Sequence, residues 1–156
     1  MNLTLLHKII NRALRKFQSL LGISTLGARA IVLNSTNPNQ ILLVKHTYQS
    51  HWYIPGGGIK KNESPRLALL RELKEEVGIS VIGEPELFGI YYHTILGVSD
   101  YPIIYIVKNY TMTTSNSPEI EQIAWFDYEA LPQQIAPGTK RRLDEYFTKS
   151  SRSDTW

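Results

Sequence analysis

Between Gly57 and Ile79 the chain reads GGIKKNESPRLALLRELKEEVGI, a glycine-rich approach followed by a segment whose charges are one-sided. Ser64 is a good N-cap, Pro65 suits the first helical position and Gly78 suits the position after the last turn, so the spacing predicts a helix over 65–77. On that helix Leu67, Leu70, Leu73 and Val77 form an apolar stripe about 120° wide. Glu72, Glu75 and Glu76 stand at i, i+3 and i+4 and share the opposite face. Like charges at that spacing repel by a few tenths of a kcal/mol per pair, and Arg71 and Lys74 lie too far round to cancel it. A bound divalent cation removes the penalty, and oxygen-only ligands select a hard ion such as Mg²⁺ or Mn²⁺. The plainer alternative is a solvated acidic face with Arg71 and Lys74 as surface partners. Two neighbours favour the cation. Gly56, Gly57 and Gly58 leave bare backbone able to fold over an ion or a phosphate, and Glu63 adds a fourth carboxylate just ahead of the helix.

The rest of the chain reads as one mixed α/β domain. Its 156 residues, 42% of them hydrophobic, suffice for a single core, and no apolar run approaches the roughly 20 residues of a membrane span. The absence of cysteine excludes disulfides, thiolate metal sites and cysteine nucleophiles; it suits a reducing compartment, and a cytoplasmic location is expected. Strands are expected at Ala28–Leu33, Ile41–Val44, Leu87–His93, Ile103–Tyr110 and Ile123–Phe126, with a loop over Thr94–Asp100 and a last helix over Lys140–Phe147. Three segments follow: an N-terminal amphipathic helix within 1–24, the main domain over 25–149, and a polar, flexible tail over 150–156. The N-terminal helix sets Leu3, Leu6, Ile9, Ile10, Ala13, Leu14, Phe17, Leu20 and Leu21 against Lys8, Arg12, Arg15 and Lys16. Packing on its own domain or on a second copy, as a homodimer, is the expected use; a transit peptide or membrane-surface helix has the same pattern. Charge is uneven: residues 1–62 carry eight cations and no acid, whereas the remainder carries nine cations and all 14 acids. That division suits an anionic substrate held through a cation, unless the two halves interleave and the field averages out.

The spacing G-x5-E-x7-R-E-U-x-E-E-x-G-U, with U aliphatic, is the Nudix box, and Gly57, Glu63, Arg71, Glu72, Leu73, Glu75, Glu76, Gly78 and Ile79 fill every defined position. At average residue usage nine such matches are far outside chance. The flanks agree: Trp52-Tyr-Ile-Pro-Gly-Gly resembles the leading strand of the family, and Glu119-Ile-Glu-Gln-Ile-Ala-Trp-Phe resembles its late acidic residue before an aromatic strand. The chain therefore resembles a Nudix hydrolase over roughly 25–147. The resemblance implies an α/β/α sandwich with a mixed sheet, here with the extra N-terminal helix. It also implies Mg²⁺-dependent hydrolysis of a nucleoside diphosphate linked to another group. It makes Glu72, Glu75, Glu76 and the Gly56 carbonyl the metal ligands, with Mn²⁺ as a substitute ion. Arg71 would orient the glutamates, and Glu63 would support the loop–helix junction or a second ion. Gly57, Gly58, Lys60 and Glu63 would border the substrate, and the base is either Glu72 or Glu119.

Two positions depart from the family pattern: Lys60 stands where many members carry an acid, and Asn62 where many carry glycine. Lys60 and Lys61 either touch a phosphate or are solvated loop lysines. The substrate is less legible. The leading strand is not the WQFPQGG type of dinucleoside polyphosphate and RNA 5′-end enzymes. The proline of ADP-ribose hydrolases and the upstream motif of the coenzyme A group are missing too. Tyr48, Trp52, Tyr91, Tyr92 and Tyr101 are candidates for stacking on a base, although strand aromatics more commonly build core. His46, His51 and His93 show no metal-ligand spacing and are expected in ordinary polar roles. The alternative to an enzyme is a nucleotide sensor on the same scaffold, against which the complete set of box glutamates argues. A nucleic-acid binder using the N-terminal cations lacks interleaved aromatics, so no stable nucleic-acid complex is expected.

Overall fold

A computed structural model describes residues 21–156; all of the expected N-terminal helix except its last residue lies outside the described segment. β1 (Thr25–Val32) is the hub. Its C-terminal half, Ala30–Val32, is buried on both faces and reads as an unbroken apolar run, whereas Arg29 interrupts the half before it. Ala28, Ala30 and Val32 enter one core, and Ile31 with the following Leu33 enters the other. β1 pairs in parallel with β8 (Val98–Val107) and antiparallel with β4 (Gly56–Gly58). Antiparallel β6 (Glu86–Ile90) and β7 (His93–Ile95) complete a mixed five-stranded sheet along β8. β10 (Ile120–Asp127), β2 (Gln40–His46) and β3 (Trp52–Tyr53) form a second, antiparallel sheet, and β5 (Ile79–Val81) pairs with β9 (Tyr110–Met112). Helix α1 (Pro65–Val77) closes the first core through Ala68, Leu69, Leu73 and Val77. Helix α2 (Pro137–Phe147) closes the second through Leu143. The expected mixed α/β architecture is the one observed. No helix among the described residues is long and apolar enough to cross a membrane.

Three local expectations need correction. Thr94–Asp100 is a tight hairpin instead of a loop: Ile95 pairs with Val98 across Leu96 and Gly97, whose φ values of +51° and +82° give the two-residue turn that follows strand twist. A leucine in the first of those positions carries no turn signal, so the hairpin was hidden. Helix α2 starts at Pro137, three residues before Lys140, because proline fits the first turn even though Ala136 offers no side-chain cap. Helix α1 is rolled about its axis relative to its most apolar stripe: Leu67 is exposed, whereas Ala68, Leu69 and the charged Glu76 are buried. Glu76 therefore lies at the inner edge of the helix, not opposite the core.

Residues 150–156, expected as a flexible tail, make hydrogen bonds to the rest of the domain. Tyr92 N–H donates to Asp154 O at 2.8 Å, Trp156 N–H donates to Tyr92 O at 2.9 Å, and Ser153 N–H donates to Glu145 Oε1 at 3.0 Å. The Trp156 indole lies on Gly138, where a Cβ would come within 2.6 Å of its ring, and stands edge-on to Tyr91 at 6.1 Å. Beneath it Arg142, fully buried, stacks 3.9 Å from the Tyr91 ring centre and pairs with Glu145 at 2.7 Å. Burial pushes the Arg142 guanidinium down in pKa and the Tyr91 hydroxyl up to about 12, the nearby Glu145 adding to the second effect. Trp156→Ala is expected to lower the unfolding free energy by about 2 kcal/mol, less than for a fully buried tryptophan, as read by chemical denaturation.

Candidate active site

The site assembles where β4 passes α1. Ser64 Oγ accepts from Leu67 N–H at 3.3 Å to start the helix, and Gly78, at φ +68°, ends it with its N–H on Lys74 O at 3.2 Å. Two glycines allow the strand to come this close. Gly56 has φ +131°, and a Cβ there would lie 2.6 Å from Arg29 Cα on β1. A Cβ on Gly57 would lie 2.6–2.7 Å from the Glu72 carboxylate. One glycine thus lets β4 hug β1, and the next lets Glu72 lie flat against bare backbone.

Arg71 organises the carboxylates. Its Nε and Nη2 donate to the two oxygens of Glu63 at 2.8 and 2.9 Å, a bidentate pair. Nη1 donates to Glu72 at 2.6 Å and Glu75 at 3.3 Å, and Nη2 also reaches Gly58 O at 3.1 Å. Lys60 N–H donates to Glu63 at 2.9 Å, and Asn62, where many family members carry glycine, adopts φ +62°. Asparagine is one of the few residues that tolerate this left-handed turn, so the departure leaves the loop intact. The Arg71 hydrogen bonds, helped by the Lys60 amide, hold the Glu63 carboxyl down to about 2. Glu72 is shifted upward because burial outweighs its bond to Arg71, with Glu76 and Glu75 adding repulsion.

Glu76 is 6% exposed and held at both oxygens: Gly56 N–H donates to Oε2 at 2.8 Å, and His46 Nε2 lies 3.1 Å from Oε1. Glu72, Glu75, Glu76 and Glu119, with Lys60 and Arg71, line a cleft of about 650 Å³; Lys74 and the Thr114–Pro118 loop complete its walls. Ser115 Oγ donates to Glu75 O at 2.9 Å and ties that loop to the helix, while Thr47 N–H holds Glu119 O at 2.9 Å. Behind this wall lie Gly56, Gly57, Gly58 and Glu63. Lys61 is not among the residues lining the cleft.

Of the aromatic candidates only Tyr48 neighbours this cluster. Burial, with Glu119 and then Glu76, pushes its hydroxyl up to about 12. Trp52 meets Phe126 edge-on at 4.9 Å in the second core, which also holds Tyr91, and Tyr92 stands 5.5 Å from Tyr101. His93 pairs with Asp100 at 2.8 Å and His51 lies against Ser50, both in ordinary polar roles. Sequence reasoning missed two contributors. His46 pairs with Glu76, and Arg29 donates to Gly56 O at 3.1 Å. His46 ends β2 at the i+2 spacing of Leu42 and Val44, and Arg29 in β1 stands at the i+2 spacing of Ile31 and Leu33; that period was the available signal.

The donors suit a hard divalent cation chemically: four carboxylates line the cleft, all oxygen, with Glu72 crowded by Glu76 and Glu75. Among the described residues no three Asp, Glu or His side chains converge on one point as they stand.

Residues 24–147 match the family description of the NUDIX domain. An RNA pyrophosphohydrolase of a Nitratiruptor species is 40% identical over 141 residues, covering 77% of this chain and 90% of that protein. One from Hydrogenovibrio crunogenus is 30% identical over 111 residues, covering 58% and 67%. The crystal structure of a MutT NUDIX hydrolase from Burkholderia pseudomallei superposes with TM-score 0.68 at 23% identity, covering 78% of this chain and 96% of that one. The chain belongs to the Nudix hydrolases, enzymes that act on phosphoric anhydride bonds and generally use divalent cations.

If Arg71 sets the acidity of this cluster, Arg71→Ala should let the Glu63 carboxyl rise from about 2 toward its ordinary 4.5, read by ¹³C NMR titration of the metal-free protein. Because the folded value is depressed, the stabilisation it brings is present above pH 4.5 and lost as pH falls through about 2.

Proposed function

We propose that the protein is a Mg²⁺-dependent pyrophosphohydrolase cleaving the diphosphate link of a nucleoside diphosphate joined to another group. The observation that carries this reading is the cleft's charge layout: Glu72, Glu75, Glu76 and Glu119 line it together with Lys60, Arg71 and Lys74. Carboxylates draw in divalent cations, and cations at the same wall meet the phosphate oxygens that those ions leave uncovered. Glu72, Glu75, Glu76 and the Gly56 carbonyl are the proposed ligands, with Mn²⁺ able to replace Mg²⁺. A bound divalent ion would neutralise diphosphate charge and favour attack by water.

The chain's own groups do the rest. Arg71, anchored on Glu63, keeps Glu72 and Glu75 from spreading apart. Gly57 leaves room for the Glu72 carboxylate against β4, Gly58 offers its carbonyl to Arg71, and Lys60, at the cleft wall, is placed to meet a phosphate. Glu72 and Glu119 both face the cleft, and the base that takes the proton of the attacking water is one of these two. The relatives named RNA pyrophosphohydrolase support a nucleotide-type substrate.

The test is a screen with Mg²⁺ over nucleoside triphosphates, nucleotide sugars, ADP-ribose, dinucleotides and triphosphorylated RNA, scored by phosphate-containing products. Glu76→Gln is expected to cut Mg²⁺-dependent turnover by more than the roughly 10–100-fold typical of losing an outer-shell partner, with the far-UV spectrum unchanged. Turnover preserved in that variant would refute the ligand assignment. A blank screen would favour a nucleotide sensor.

A further inference from the structure

Strand β2 buries Leu42 and Val44 in the core beneath α1 and, two residues further along the same face, ends in His46. A histidine continuing an apolar row is out of place unless something there needs a donor. Its ring is 5% exposed, edge-on to Tyr53 at 5.9 Å and tilted against Tyr48 at 5.2 Å, so it cannot swing freely. Nε2 lies 3.1 Å from Glu76 Oε1, and Nδ1 is buried with no hydrogen-bond partner among the described residues.

Neutral imidazole has one donor nitrogen and one acceptor nitrogen. With the proton on Nδ1, a buried N–H would be unpaired and two lone pairs would oppose each other across 3.1 Å. With the proton on Nε2, the ring donates to the carboxylate and only a weak acceptor is left bare. The surroundings therefore select the Nε2–H form. Gly56 N–H already holds the other oxygen at 2.8 Å, so Glu76 is gripped by donors from two different strands, β2 and β4. Each oxygen has accepted one hydrogen bond and retains a lone pair.

We propose that His46 is a positioning residue for cation binding: its Nε2–H fixes the Glu76 carboxylate in its buried rotamer, ready to ligate a divalent ion. The inference rests on the metal-site reading above. It adds a residue outside the box that tunes the affinity of that site.

The experiment compares His46→Gln, His46→Asn and His46→Leu in the full chain. Free Mn²⁺ is titrated by electron paramagnetic resonance without nucleotide, alongside thermal melts and separate kcat and KM values. A glutamine amide can place an N–H close to the position of Nε2, an asparagine amide falls short of it, and leucine has no donor. Gln is expected to bind Mn²⁺ within about threefold of the unmodified chain, and Asn and Leu to bind it about 10–100-fold more weakly. kcat at subsaturating metal should follow the same order and recover with excess Mn²⁺, KM for substrate changing little. If His46 only fills space, the variants will differ in melting temperature while the folded protein binds Mn²⁺ equally well, and the proposal falls. Should Leu fail to fold, Gln against Asn decides alone: equal affinities overturn the proposal. Glu76→Gln separates the two readings. Weak binding there with normal binding in every His46 variant overturns only this inference, whereas normal binding in Glu76→Gln overturns the metal site beneath it.

Discussion

Glu76 is a carboxylate almost wholly withdrawn from water, a placement that costs several kcal/mol unless its oxygens are hydrogen-bonded. The bonds it finds come from the Gly56 amide on β4 and from His46 on β2, so one side chain of α1 locks the helix to strands of two different sheets. Any drift of β4 or β2 relative to α1 would strand a buried charge, and the architecture of the cleft follows from avoiding that. The glycines are the other half of the same constraint. Without the close approach they allow, the Gly56 amide could not reach the helix, and Glu72 would lose its place against Gly57.

Outside that lock the cluster is held less firmly. Arg71 spreads one guanidinium over Glu63, Glu72, Glu75 and the Gly58 carbonyl, a compromise that leaves Glu75 largely in solvent and Glu72 mostly buried among like charges. Such a cluster is poorly satisfied by one monovalent partner and well suited to an added divalent one. A second buried charge is met differently: Arg142, fully buried on α2, is paired with Glu145 and faces the Tyr91 and Trp156 rings.

How much of this the sequence disclosed depends on the range of the interaction. The α1 boundaries at Pro65 and Val77 were legible because the Ser64 cap, Pro65 and Gly78 are local devices acting within one turn. The Nudix spacing named the residues that now border or back the cleft, from Gly56 to Glu119. It gave no sign of Arg29 beneath Gly56 or of the hairpin at Leu96-Gly97, since neither has a local signature. Residues 150–156 look like a frayed end by composition, but Trp156 finds a glycine-floored seat on α2 that no neighbouring residue in the chain announces.

By itself the sequence determined the helix, its caps, the mixed α/β class, the family and the identity of the acidic residues, because each is written in spacing along a few turns or strands. Tertiary structure alone decided which way the helix rolled. Local hydrophobicity placed Leu67 inward and Glu76 outward; the structure reverses both, because the Gly56 amide and His46 make a buried carboxylate affordable only at that angle. Those two donors lie 20 and 30 residues away in the chain, beyond the reach of any periodicity in the helix itself.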